Sequence, residues 1–192
     1  MGTSAKVLTP REFGRVLEHV RQGGAAKRNQ CIVLLSFRAG LRACEIAGLS
    51  WEMVTGPDGH ISTTIAVSGS IAKNGRGRIV PIHAELKTVL ASMRASQGYP
   101  TAGPVIRSQR GGHMTAKSIV NWFSALYSKL GFVGCSSHSG RRTFITQSAR
   151  LLAKVGGSLR DIQELAGHRA LTTTERYIEG DREAQRKLIQ ML

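Results

Sequence analysis

Acidic residues are scarce in this chain. Twelve Asp and Glu stand against 27 Lys and Arg in 192 residues, a formal net charge of +15. The shortage is local: from residue 59 to residue 160 there are 14 Lys or Arg and one acid, Glu85, while both ends are nearer balance. A basic stretch so poor in carboxylates is the footprint of a polyanion binder, and it points to nucleic acid without choosing DNA over RNA. Charge alone leaves a merely solvated basic surface open. Cysteines are few as well. Cys31, Cys44 and Cys135 are odd in number and far apart, with no Cys-x-x-Cys pair, which argues against a disulfide framework and a cysteine zinc site. Cys31 and Cys44 read as small core residues. No apolar run approaches the length of a membrane span, and the first nine residues lack the long apolar block of a signal peptide. The default location is the cytoplasm. There is no Gly-x-x-x-x-Gly-Lys-Ser/Thr loop for ATP or GTP, and His19, His60, His83 and His113 lack metal-ligand spacing. No cofactor and no metal are expected.

What is present suits one domain. The length fits a single unit, and 41% hydrophobic residues can fill a core. Thr9-Pro10-Arg11-Glu12 reads as a helix start with a capping box, followed by Phe13, Val16, Leu17 and Val20 at helical spacing. A buried helix is expected from about residue 28 to 39. A short helix then carries Arg42 in its first turn, with Glu45 three residues on. Locally, this pair is either a surface ion pair or an arginine held for a phosphate. Ile61, Thr63, Ile65 and Val67 alternate like a strand. Ile71-Ala72-Lys73 and Arg78 to Ile82 flank Asn74-Gly75, the signal of a tight hairpin. Its tip carries Lys73, Arg76 and Arg78, which either stay solvated or enter a DNA groove. Further helices are expected over 84–97, 115–130, 138–154 and 159–166, with Trp122 and Phe123 as core residues rather than base-stacking platforms. The fold class is α+β: mainly helical, with a small antiparallel sheet.

The stretch from His138 to Tyr177 gathers the chemistry. His138 and Arg141 share a helix start, a place that favours anions. Gly167 ends a helix and leaves His168 just beyond it. Thr172 is expected to cap a short helix that includes Tyr177. A guanidinium holds a phosphate through paired hydrogen bonds, an imidazole moves a proton near neutral pH, and a phenol can attack phosphorus.

The set Arg42, Lys73, His138, Arg141, His168 and Tyr177 resembles the catalytic set of the tyrosine recombinases, the phage-integrase family. Gly40-Leu41-Arg42-Ala43-Cys44-Glu45 is similar to that family's first arginine box. Lys73 ahead of Arg78-Ile79-Val80-Pro81-Ile82 resembles its lysine hairpin. His138-Ser139-Gly140-Arg141 fits its His-x-x-Arg, and Leu165-Ala166-Gly167-His168 with Tyr177 nine residues later fits its final box. The resemblance runs from about Leu8 to Gly180. Gly140 departs from it, standing where the family usually has a large apolar residue, so a looser helix start is expected.

The resemblance implies the catalytic-domain fold over residues 1–192, without the family's separate N-terminal DNA-clamping domain. It implies a site-specific recombinase that cuts and rejoins DNA for integration, excision or inversion. Arg42 and Arg141 would bracket the scissile phosphate and Tyr177 would attack it, leaving a 3′-phosphotyrosyl link. His138 or His168 would help with the phenol proton, and Lys73 would protonate the leaving oxygen. Arg76, Arg78 and Arg142 are expected DNA contacts. The partner is double-stranded DNA, and the working form is a tetramer on it. A tail helix over about 183–192, with Ala184, Leu188 and Leu192 at four-residue spacing, would dock on a neighbour or fold back on its own domain. Two rival readings use the same residues: relaxation by a type IB topoisomerase, and DNA binding with a decayed site.

Overall fold

Seven consecutive residues of one helix, Cys31 to Phe37, are at most 4% exposed, and the rest of the fold is arranged around them. The computed structural model describes residues 5–73, 75–108, 110–177, 186, 189 and 190. The buried helix is α2 (Ala26–Arg38), and it packs against four others. These are α1 (Pro10–Val20), α3 (Ala43–Gly48), α4 (Ala84–Ser96) and α6 (Ser139–Val155). An ordinary amphipathic helix shows an apolar stripe; α2 is covered on every side over this run, which is apolar except for Ser36. α5 (Ala116–Lys129) lies on α3 and puts Phe123 into the core at 0% exposure, with Trp122 partly buried beside it. α7 (Leu159–Ala166) packs on α6, and α8 (Leu171–Glu175) packs on α7. No helix among the described residues is long and apolar enough to cross a membrane.

The first helix starts as its sequence dictates. The Glu12 backbone N–H donates to Thr9 Oγ1 at 3.2 Å, and the Thr9 N–H donates to Glu12 Oε2 at 2.9 Å, closing the capping box. The Leu8 N–H donates to the Thr143 hydroxyl at 2.9 Å, tying the entry of the chain to α6, 135 residues later.

The sheet is smaller than the alternating pattern suggests. β1 (Thr64–Val67) and β2 (Arg78–Pro81) pair antiparallel, with Ile65 opposite Val80 and Val67 opposite Arg78. Ile65, Val67 and Val80 face the core. Residues 71–73 do not form the expected strand, and Asn74 of the expected Asn-Gly turn lies outside the described residues. Serine turn chemistry intervenes first: the Ser70 N–H donates to Ser68 Oγ, and the Ile71 and Ala72 N–H groups donate to the Ser68 carbonyl. A longer connection results, and Lys73 stands exposed on it. Two further boundaries move. α8 starts after Ala170 rather than Thr172, and it ends before Tyr177. The expected tail helix falls almost wholly outside the described residues.

The start of α6 is tight rather than loose. Gly140 is buried between α6 and α2. A Cβ placed on it would meet the Ser36 hydroxyl and stand 2.8 Å from two atoms of the Phe37 ring. Phe37 occupies the room that a large side chain at position 140 would fill, and its ring in turn stacks on Phe13 at a centroid distance of 4.8 Å. The missing volume on one helix is supplied by its neighbour, so the backbone bearing His138 and Arg141 sits directly on α2. Gly140→Leu is therefore expected to lower stability by about 1–3 kcal/mol through overpacking. Phe37→Ala alone should cost about 3–5 kcal/mol. Urea unfolding of both single variants and the double variant should show the double losing clearly less than the sum, because the two side chains compete for one space.

Candidate active site

The site is assembled around one carboxylate. Glu45 lies in the first turn of α3, is fully buried, and accepts from four donors. The Arg42 backbone N–H donates to Oε2 at 2.8 Å and caps the helix. Arg42 Nη1 donates to Oε1 at 3.1 Å. Arg78, from β2, completes the set with Nη1 on Oε1 at 2.7 Å and Nη2 on Oε2 at 2.9 Å. Burial by itself would raise the Glu45 pKa; the Arg78 hydrogen bonds, helped by the charges of Arg78 and Arg42, outweigh it and hold the carboxyl below its ordinary range. The pair is thus not a surface ion pair: the Arg42 side chain is 14% exposed and braced from behind by Glu45.

Arg141, on the first turn of α6, reaches the same place. It is 3% exposed, and its Nη1 donates to the Gly40 carbonyl at 2.6 Å while its Nη2 donates to the Ala166 carbonyl. A guanidinium has five N–H donors, so three are left for an anion. Burial, followed by the charge of Arg42, pushes its pKa below the usual guanidinium value, and Glu45 opposes that push. Three guanidiniums around one carboxylate leave a surplus positive charge inside the protein, which is the electrostatics of an anion site.

His168 follows the left-handed Gly167 corner, and its Nδ1 pairs with the buried Thr174 hydroxyl at 3.0 Å. Gln163 fixes the corner, its Nε2 donating to the His168 and Arg169 carbonyls. Burial, then the charges of Arg141, Arg42 and Arg78, push the His168 pKa down to about 4, so the ring is neutral at physiological pH. His138 stands at the N-cap position of α6, makes no capping hydrogen bond, and reaches solvent. Crowding by protein atoms, with the charges of Arg141, Lys73 and Arg42, lowers its pKa too. Both imidazoles are therefore pushed toward the neutral form.

Tyr177 lies beside them. Its ring stacks on His168 at 5.7 Å between centroids, with 17° between the planes. Arg142 sits 5.8 Å over the same ring. His138, Arg141, Arg142 and Tyr177 line one open pocket. Arg76, His168 and Arg169 line a second basic groove, on the β2 and α7 side. The structure thus brings Arg42, Arg141, His138, His168 and Tyr177 together from four separate segments. Lys73 stands on the exposed connection whose charge reaches His138. Arg76 is exposed, in keeping with a groove residue.

Arg78 does not take the place expected for a DNA contact. Its side chain is 7% exposed and turned inward to Glu45, and its Nε donates to the Leu165 carbonyl at 2.9 Å. Sequence reasoning also passed over Thr174 and Gln163, whose roles depend on a corner that brings residues five and six apart into contact. For Glu45 the signal was present, in its position three residues after Arg42.

The sequence matches the model described as the phage integrase family over residues 6–183. Tyrosine recombinase XerC of Brucella suis biovar 1 (strain 1330) is 35% identical over 155 residues, covering 79% of this chain and 46% of that protein. The XerC of Rhizobium meliloti (strain 1021) is 32% identical over 179 residues, covering 90% of this chain and 53% of that one. The chain thus spans about half the length of these curated relatives. Among solved structures, the Tn1549 transposon integrase in complex with a circular intermediate DNA superposes with a TM-score of 0.77 at 19% identity, over 100% of this chain and 67% of that one. XerA recombinase gives 0.75 at 22% identity, over 99% and 64%. These two likenesses establish the fold.

The His168 shift has a consequence for stability. Its folded pKa of about 4 lies below the ordinary 6.5, so between those values the unfolded chain binds more protons and stability falls as pH drops. Urea midpoints measured at about pH 7.5 and about pH 5 should fall further for the wild type than for His168→Gln, which has no proton to take up. Equal falls would show that His168 is not held neutral by the fold.

Proposed function

The chain belongs to the phage integrase family, and from that premise we propose that it is the catalytic domain of a tyrosine site-specific recombinase acting on double-stranded DNA. The observation that carries this reading is the meeting of Tyr177 and two neutral-leaning imidazoles with two braced guanidiniums whose charges reach both rings.

The steps follow from what each group can do. Arg42 and Arg141 hold the non-bridging oxygens of one phosphodiester, and their hydrogen bonds to Glu45, Gly40 and Ala166 fix them in advance. A preorganised donor of this kind is worth about 10²–10³ in rate. Tyr177 Oη attacks phosphorus and gives up its proton, with His168 or His138 as the acceptor. The bond from phosphorus to the 5′-oxygen breaks, and Lys73 supplies the proton to that oxygen. The product is a 3′-phosphotyrosyl link and a 5′-hydroxyl. The 5′-hydroxyl of a second strand reverses the step, so the bond energy stays in the covalent link and no nucleotide is consumed. Arg76 and Arg142 contact the DNA backbone near the cut strand. Strand exchange between two duplexes takes several protomers, and we assign a tetramer on DNA joined through the tail beyond residue 182, in the service of integration, excision or inversion of a mobile segment.

The test is a covalent trap on nicked DNA carrying sequence from beside the chain's own gene. Wild-type protein should give a protein–DNA adduct on a denaturing gel, and Tyr177→Phe should give none. An adduct that survives in Tyr177→Phe would assign the nucleophile elsewhere. Affinity should also be steeply salt-dependent: for about six phosphates contacted, log affinity falls against log salt with a slope of about −5. A slope near zero would contradict the basic-face argument.

A further inference from the structure

Arg78 stands at the junction of three segments that the reaction has to hold in register. Its two terminal nitrogens grip Glu45, which braces Arg42 on α3. Its Nε donates to the carbonyl of Leu165, on the last turn of α7, three residues before His168. Its own backbone lies in β2, the strand that follows the connection carrying Lys73. The side chain also lies flat against the corner before His168. A Cβ on Gly167 would stand 3.1 Å from Arg78 Cδ and 3.3 Å from Nη1, at a residue whose φ of +61° already favours glycine. The corner is therefore closed directly onto the guanidinium.

We propose that Arg78 is a positioning residue for strand cleavage: a clamp that sets Arg42, the Lys73 connection and the His168 corner in one arrangement. The proposal rests on the recombinase reading above. Arg78 does not touch the reacting phosphate; it acts through Glu45 and through the 165–168 corner. Three of its five N–H groups are committed to protein acceptors, in two directions, by a planar fork. A lysine carries the same charge on a single point and lacks the fork, so it cannot satisfy Glu45 bidentately and Leu165 at once. Charge and geometry are thereby separable by experiment.

Arg78→Lys is the deciding variant. Affinity for the nicked DNA and its salt slope should stay within about twofold of wild type, because no phosphate contact is lost. Adduct formation at saturating DNA should fall about 10²-fold, the scale expected when reacting groups are misplaced by about 1 Å. Amide hydrogen exchange should quicken at residues 165–168 while that of α2 is unchanged. Weaker binding with a salt slope reduced by about 1, and an unchanged rate at saturation, would overturn the proposal and return Arg78 to the phosphate backbone. So would exchange that is unaltered at 165–168, or that rises equally in α2 and marks general destabilisation. Should Arg78→Lys fail to fold, Gly167→Ala presses on the clamp from the other side, and the same split between affinity and rate is expected of it. If wild-type protein itself gives no adduct, the recombinase reading falls, and the exchange comparison still decides whether Arg78 holds the corner.

Discussion

A fully buried carboxylate is costly unless it is paired and hydrogen-bonded, and Glu45 sets the terms for the whole site. Its two oxygens accept from Arg42 and Arg78 four times over. Removing one partner of a buried pair typically costs about 3–5 kcal/mol, because the other charge is left uncompensated. The arginines therefore cannot drift: each is held by the penalty for stranding Glu45. The same count explains why the site wants an anion. One carboxylate offsets one guanidinium, and Arg42, Arg78 and Arg141 are all within its neighbourhood. The remaining positive charge is fixed in place by the fold, so an anion bound there would require little reorganisation.

The histidines feel this field. His168 and His138 are both pushed toward the neutral form by burial and by the same arginines, so the charges that would grip a phosphate also keep the nearby bases unprotonated. One arrangement thus combines a surplus of fixed cations with two imidazoles held toward the neutral form. The Thr174 hydroxyl on His168 Nδ1 leaves the other ring nitrogen as the one available to a reacting group.

Much of this was legible in the sequence because it is carried by local patterns. The Thr9–Glu12 capping box, the nearly all-apolar run in α2 and the Gly167 helix end each concern residues within a few positions of one another. The candidate set was legible as a resemblance, because its six residues follow a known order at fitting spacing. What stayed hidden depends on contacts across the chain. Arg78 sits 33 residues from Glu45 and 87 from Leu165, and nothing in a basic hairpin sequence says that one of its arginines turns inward. Phe37 filling the place opposite Gly140 was hidden for the same reason: compensation between helices leaves no mark on either one alone. The strand expected at residues 71–73 failed differently. Two local turn preferences competed, and the serine turn at Ser68 came first.

Gly140 shows how such a departure is absorbed. Read along the chain, a glycine at a helix start that usually carries a large apolar residue suggests slack. Read across the helix pair, it allows α6 to sit directly on α2, the most buried element of the fold. Interiors are close-packed, so space given up by one side chain has to be taken by another or left as a costly void. Phe37 takes it here, and Phe13 and Arg38 stack on from there, the Arg38 guanidinium standing 4.8 Å over the Phe13 ring. The helix that presents His138 and Arg141 is thereby referenced to the core rather than to the surface. Under the proposed chemistry that footing matters, since a shift of about 1 Å in a reacting group can cost about 10²-fold in rate.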